Sequence, residues 1–169
     1  MNILIIGAGA MGGLFASLLA PLAETCLFTT NAAHAAAINT NGVQLTDLQG
    51  STSAVAVRAI TEPSQYQQWA NLVLICTKAG ATLAAAQTAK LLLAVGGLVL
   101  TLQNGLGNLE TIAAVVGPHR VTAGTTAQAA TLVGPGQIRH AGQGPTVLAP
   151  ARAFPKQMRS LTTIAELFN

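Results

Sequence analysis

Apolar residues in this chain come in short, dense runs set off by glycine, proline and small polar breaks. Ile3-Leu4-Ile5-Ile6 has no polar interruption, the pattern of a strand covered on both faces. It predicts a strand over 2–6, a helix over 10–20 closed by Pro21, and a second strand over Thr25–Thr29, together one β-α-β unit. Ala32 to Asn39 then predicts a short helix stopped by Asn41-Gly42. Alternation around Val43-Gln44-Leu45 and Ser53–Val57 predicts a β-hairpin insertion. Glu62-Pro63-Ser64 starts a short helix through Trp69, and Leu72–Cys76 is the most strand-like run of all.

The same rhythm continues with a helix over Thr82–Ala94 ended by Gly96-Gly97, a buried strand over Leu98–Leu102, and a helix from Asn108 to about Val116 stopped by Gly117-Pro118. The last third changes texture. Segments around Val121–Ala130, Gln137–His140 and Thr146–Leu148 read as extended pieces joined by Gly/Pro turns that finish the sheet. Phe154 to Phe168 predicts an amphipathic helix with Lys156, Arg159 and Glu166 outside and Met158, Leu161, Ile164 and Leu167 inside.

The chemistry starts in the first break. Gly7-Ala8-Gly9-Ala10-Met11-Gly12 follows a buried strand and opens a helix. That is the context in which Gly7 permits a tight turn, Gly9 a close approach to a pyrophosphate, and Gly12 close packing of helix on strand. Phosphates would sit at the positive end of that helix, on free backbone N–H groups. The element order then predicts the α/β class: a Rossmann-type doubly wound, mostly parallel sheet with helices on both faces. At 169 residues it is about one domain.

The residue after the second strand selects the cofactor in such units, because an acid there bonds a ribose 2′-hydroxyl and repels a 2′-phosphate. Here the positions are Thr29-Thr30-Asn31, with no acid until Asp47, which tilts the expectation toward NADP(H) over NAD(H). Thr30 or Asn31 serves equally well as a helix cap. Lys78, just past the Leu72–Cys76 strand, lies either at the ligand crevice or as a solvated loop cation. Asn104, past the next strand, is either turn chemistry or a donor-acceptor pair for a nicotinamide amide or a substrate oxygen.

Composition narrows the partners. Hydrophobic residues make up 51% of the chain and charged residues 8%, so some apolar surface is expected to pack against something else, with self-association as the consequence. The net charge of +3 comes from scattered bases and few acids, without the clustered stripe and aromatics that nucleic acid demands. Ile3–Ala23 is uncharged and long enough to invite a membrane-span or signal reading. No Lys or Arg precedes Arg58, however, and the glycine turn splits the run. No membrane association is expected. Cys26 and Cys76 have no metal-ligand spacing and read as buried strand thiols of a reducing compartment; His34, His119 and His140 read as surface or turn histidines.

Several motifs coincide in order: Gly7–Gly12, Cys76-Thr77-Lys78-Ala79, Gln103-Asn104-Gly105-Leu106-Gly107, Gly124-Thr125-Thr126, Gln137-Ile138-Arg139-His140 and Gly142-Gln143-Gly144. The set resembles the ketopantoate reductase family, which reduces 2-dehydropantoate, a 2-oxo acid, to pantoate with NADPH on the route to coenzyme A. The resemblance implies that Gly7, Ala8, Gly9, Ala10, Met11 and Gly12 hold the pyrophosphate, that Lys78 and Asn104 face cofactor and substrate, and that Ala130 touches the nicotinamide side. It implies a cytoplasmic oxidoreductase.

The family often places an Arg where this chain has Asn31. It also carries its catalytic Lys and most substrate contacts in a following helical domain, so this chain reads as the cofactor half of the enzyme, inactive when isolated and with no catalytic residue of its own. Two other classes stay open: a non-catalytic NADP(H)-binding or sensing module, and another 2-oxo-acid or opine-type dehydrogenase.

Overall fold

A computed structural model describes residues 1–150 and 155–168. Side chains at Gln65, Pro150 and 155–160 are not described, so Lys156, Met158 and Arg159 of the predicted terminal helix lie outside the described side chains.

The chain runs β1 (Asn2–Ile6), α1 (Ala10–Leu19), β2 (Glu24–Phe28), α2 (Ala32–Asn41), β3 (Val43–Thr46), β4 (Thr52–Val55), β5 (Arg58–Ile60), β6 (Ala70–Ile75), α3 (Thr82–Leu92), β7 (Leu93–Thr101), α4 (Asn108–Val116), β8 (Val121–Thr126), β9 (Ala129–Gly134), β10 (Gln137–Gly142), β11 (Thr146–Pro150) and α5 (Pro155–Glu166). The main sheet has seven strands in the order β11-β8-β7-β6-β1-β2-β5. Every pair is parallel except β11 with β8. Chain order reverses between β1 and β6, the point where an open α/β sheet leaves a crevice at its carboxyl edge.

Side chains alternate through the sheet into two cores, as the two-residue period of a strand requires. Ile3, Ile5, Leu72, Leu74, Leu98 and Leu100 pack with Leu14, Phe15 and Leu19 of α1 and with Ile164 of α5. Leu4, Ile6, Val73, Ile75, Val99 and Val121 face the other way, onto Ala85, Ala86, Ala89 and Leu92 of α3 and Ile112 of α4. Both faces are thus dry, which is why these strands are uninterrupted apolar runs. In α5 the described side chains follow the expected stripe: Leu161 and Ile164 are buried and Glu166 is exposed.

The structure corrects four local expectations. The extended segments of the last third do not all finish the main sheet. Only β8 and β11 join it, while β9 and β10 pair with the β3–β4 hairpin in a separate sheet of order β4-β3-β10-β9. This second sheet lies over α1, whose Gly13 sits under Ile138 of β10: a Cβ on Gly13 would come within 2.6 Å of that side chain. Gly96-Gly97 is not a helix stop but lies inside β7. There the register against β6 slips between Ala70 and Leu72, and Gly96 takes a φ of 77°. The helix expected from Glu62 to Trp69 is a single 3-10 turn over Pro63–Tyr66. Finally, three residues after the expected hairpin strand form β5, which pairs with β2 at the sheet edge.

Candidate nucleotide site

Gly7 ends β1 with a φ of 102°, and a Cβ there would press on Thr77 at 2.9 Å. A left-handed turn against a neighbouring backbone is a position for glycine. The turn brings the first loop beside the end of β6, where the Cys76 N–H bonds to the Ile6 carbonyl at 2.9 Å. A Cβ on Gly12 would overlap the Gly7 carbonyl oxygen, so α1 can start this close to β1 only without a side chain there. Gly9, by contrast, has no atom within 4 Å of where its Cβ would be. It is the N-cap of α1 and supplies no side-chain cap, and the first turn of the helix carries no acid. The N–H groups of that first turn have no intrahelical acceptor, and the space beside the Gly9 Cα is open.

Two cavities flank this loop and share Thr77. One, of about 230 Å³, is lined by Ile6, Gly7, Phe28, Thr29, Thr30 and Ala85 among others, at the end of β2. The other, of about 340 Å³, is lined by Met11, Phe15, Lys78, Gln103, Asn104 and Gln128 among others, with Cys76 at its edge. A larger cleft of about 630 Å³ lies at the opposite, amino edge of the strands beside Glu24, Asn39 and Arg58. It holds none of the loop residues, so size alone does not mark the site.

Of the residues singled out in the sequence, Met11, Lys78 and Asn104 meet in the 340 Å³ cavity and Gly7 and Thr30 meet in the other. Asn31 is the N-cap of α2, its Oδ1 accepting from the His34 N–H at 3.0 Å. That is the cap reading of this residue, and it commits one side of the amide. Ala130 lies on β9 opposite His140, packed at the margin of the core that α1 shares with the second sheet.

Four participants were not singled out as site residues in the sequence. Gln103, between the strand and Asn104, donates from Nε2 to the Thr77 carbonyl at 2.8 Å, and its Oε1 accepts from the Thr101 hydroxyl at 3.0 Å. Buried Thr82 lies within 3.1 Å of the same amide and 2.9 Å of Asn108 Oδ1. Asn108 Nδ2 in turn donates to the Asn104 carbonyl at 3.0 Å. This chain of bonds fixes the loop that presents Asn104, and its only local signal is the polar composition of Thr77, Thr82 and Gln103. Gln128 is the fourth; its Oε1 pairs with His140 Nε2 at 2.8 Å and its Nε2 donates to the Gly144 carbonyl at 3.0 Å. His140 is therefore a partner inside the second sheet rather than a free surface histidine, and His34 is buried.

Neither cysteine is poised for chemistry. Cys26 lies in β2, and Cys76 lies one residue beyond β6 rather than within it. Burial pushes each thiol from 9.0 up to about 12, and for Cys26 the nearby Arg58 only partly offsets it. No cluster of ligating side chains suited to a metal occurs among the described residues. Among them also, no helix is long and apolar enough to cross a membrane.

A mostly parallel sheet with helices on both faces, a glycine loop at its reversal point and flanking cavities define a Rossmann-like nucleotide-domain fold. The chain belongs to the ketopantoate reductase family: residues 3–153 match the model of ketopantoate reductase PanE/ApbA. It is 31% identical over 170 residues to a 2-dehydropantoate 2-reductase of Pyrococcus abyssi, covering 100% of this chain and 53% of the relative. Among solved structures, a PanE/ApbA family ketopantoate reductase from Ralstonia eutropha JMP134 superposes with a TM-score of 0.83 at 34% identity, over 98% of this chain and 54% of the other. D-mandelate dehydrogenase, solved with NADH and anilino(oxo)acetate, superposes with a TM-score of 0.89 at 27% identity, over 99% and 54%. The chain thus spans about half the length of the relatives it matches.

Proposed function

We propose that this chain binds NADP(H) and is the cofactor-binding half of an oxidoreductase that reduces 2-dehydropantoate to pantoate. The observation that carries the reading is the pair of cavities meeting at Thr77 on either side of the Gly7–Gly12 loop. Backbone amides at the start of α1 would hold the diphosphate. Thr30 would line the adenosine side, and Met11, Lys78, Asn104 and Ala130 the nicotinamide side. When bound, the reduced nicotinamide supplies a hydride to the 2-oxo carbonyl.

This chain's own residues position and polarise. Lys78 brings a cation to the rim where the anionic substrate would sit, and the Gln103–Thr82–Asn108 bonds keep Asn104 in place to hold an amide or carbonyl oxygen. Proton delivery to the developing alkoxide is assigned to the following domain that the family carries. Exposed Leu83, Leu91, Val95 and Leu106 support the further expectation that the chain self-associates.

Titration with NADPH and NADH side by side tests the reading. NADPH is expected to bind the wild-type chain, more weakly after Lys78→Ala, and the chain alone is expected to oxidise no NADPH with 2-dehydropantoate. Absence of nucleotide binding would overturn the assignment, and rapid turnover would overturn the division into halves. A second reading, an NAD(H)-dependent reductase of another 2-oxo acid, is favoured by one feature. The end of β2 offers Thr30 and an Asn31 already used as a cap, with no Lys or Arg among the described residues lining the cavity there; tighter binding of NADH would select it.

A further inference from the structure

His34 is the one histidine sealed inside the described structure, 7% exposed, and both of its ring nitrogens are engaged. Nε2 lies 2.6 Å from the Ala8 carbonyl oxygen. Nδ1 accepts from the Gly136 N–H at 3.2 Å, across 102 residues of sequence. A carbonyl can only accept and a peptide N–H can only donate, so the two partners together specify one form of the ring, neutral with its proton on Nε2. The ring's backbone is held as well, since the His34 N–H is the one capped by Asn31.

The carbonyl it grips is the informative part. Ala8 C=O and Gly9 N–H belong to one planar peptide unit, and no cis bond occurs among the described residues, so the two groups point in opposite directions. Pinning the carbonyl toward the imidazole turns the Gly9 N–H away from it, and a Cβ built on Gly9 would meet no atom within 4 Å. The Gly136 bond then anchors the ring to the turn between β9 and β10, so this side chain links the second sheet to the Ala8 carbonyl of the first loop.

We propose that His34 is the positioning residue of the nucleotide loop: it sets the Ala8–Gly9 peptide plane so that the Gly9 N–H faces the diphosphate, with the Gly136 turn as its anchor. The inference rests on the nucleotide reading given above. It assigns His34 no contact with the cofactor.

The test uses the 169-residue chain with two probes: NADPH, which carries a diphosphate, and adenosine, which does not. A hydrogen bond from a backbone N–H to a charged group contributes about 1.5–3 kcal/mol. His34→Leu, which removes both ring bonds, is therefore expected to weaken NADPH about tenfold to a hundredfold while leaving adenosine affinity unchanged. His34→Gln, whose amide can donate and accept, is expected to recover most of the loss. In the ligand-free wild-type chain, imidazole ¹⁵N signals should report the proton on Nε2, and the Gly136 amide should be protected from exchange only while His34 or Gln is present.

Equal losses for both probes would reduce His34 to a general structural role and overturn the proposal, as would a proton found on Nδ1 or an unchanged NADPH affinity in His34→Leu. Failure of the wild-type chain to bind NADPH would overturn the nucleotide reading itself, and the positioning role with it. Wild-type binding that is indifferent to His34 removes the positioning role alone.

Discussion

The two sheets of this molecule are built on opposite terms. In the main sheet, β1 and β6 are buried almost end to end, and the strands meet helices on both sides. In the second sheet β9 and β4 are exposed along nearly their whole length, and β10 contributes one fully buried side chain, Ile138. The first sheet is its own core; the second is a bracket laid over α1. The difference separates two tasks. The main sheet creates the crevice at the reversal between β1 and β6, and the bracket holds the helix and loop that stand in that crevice, through Ile138 against Gly13 and His34 against Gly136.

The sharpest way to break this division is at the point where the main sheet and the loop touch. In Gly12→Val the new side chain would meet the Gly7 backbone, which cannot rotate aside as a flexible side chain could. Destabilisation upwards of about 3 kcal/mol is expected from such overpacking, read by urea unfolding, with NADPH binding lost. Ile138→Ala strikes the bracket instead. Removal of its methyl and methylene groups from a buried site should cost about 2–3 kcal/mol, while the crevice itself stays formed and NADPH affinity falls far less than in Gly12→Val. Equal losses of affinity in the two variants would mean that the sheets do not divide the work.

The same contrast explains what could be read from the chain. Ile3–Ile6 and Leu72–Ile75 are local signals, apolar without interruption because both faces are covered, and they placed β1, β6 and the loop between them correctly. Met11, Lys78 and Asn104 line one cavity, since the loops that follow such strands converge at one edge of the sheet. The second sheet carries no comparable signal. Its strands are half solvated, and β10 pairs in parallel with β3, joining Gln137 to Gln44; the partners are separated by most of the chain. His34 looked like a surface residue for the same reason, because its acceptor and donor, Ala8 and Gly136, are brought to it only by the tertiary fold. Gln103 was hidden by its neighbour: Asn104-Gly105 is a turn signal, and nothing local says that the residue before it ties β7 to β6.

A second contrast is in titration. Both cysteines belong to the main sheet region and neither to the bracket. Each thiol ionises near 9.0 when unfolded and is held up to about 12 when folded. The folded state therefore keeps protons that the unfolded state has released, so the contribution of burial is complete below pH 9 and declines as pH rises toward 12. Unfolding free energy should fall from pH 8 to pH 10, and the fall should be shallower in Cys26→Ala. A slope unchanged by that substitution would remove the thiol as its source.

The smallest expected effect lies at Asn31, on the boundary between the two regions, because it caps the helix that carries His34. Asn31→Ala should cost about 1 kcal/mol through the lost cap, with a slight fall in affinity for both nucleotides alike. Asn31→Arg loses the same cap but sets a guanidinium at the end of β2, where it can pair with a phosphate through parallel N–H bonds. Its two effects therefore separate by ligand: NADH binding should follow Asn31→Ala, whereas NADPH binding should rise above it. The ratio of the two dissociation constants, measured by calorimetry in both variants, cancels the shared cost of the cap and leaves the electrostatic gain. A ratio identical in Asn31→Ala and Asn31→Arg would place the 2′-phosphate away from the end of β2, and the orientation assigned to the nucleotide across the two cavities would have to be reversed.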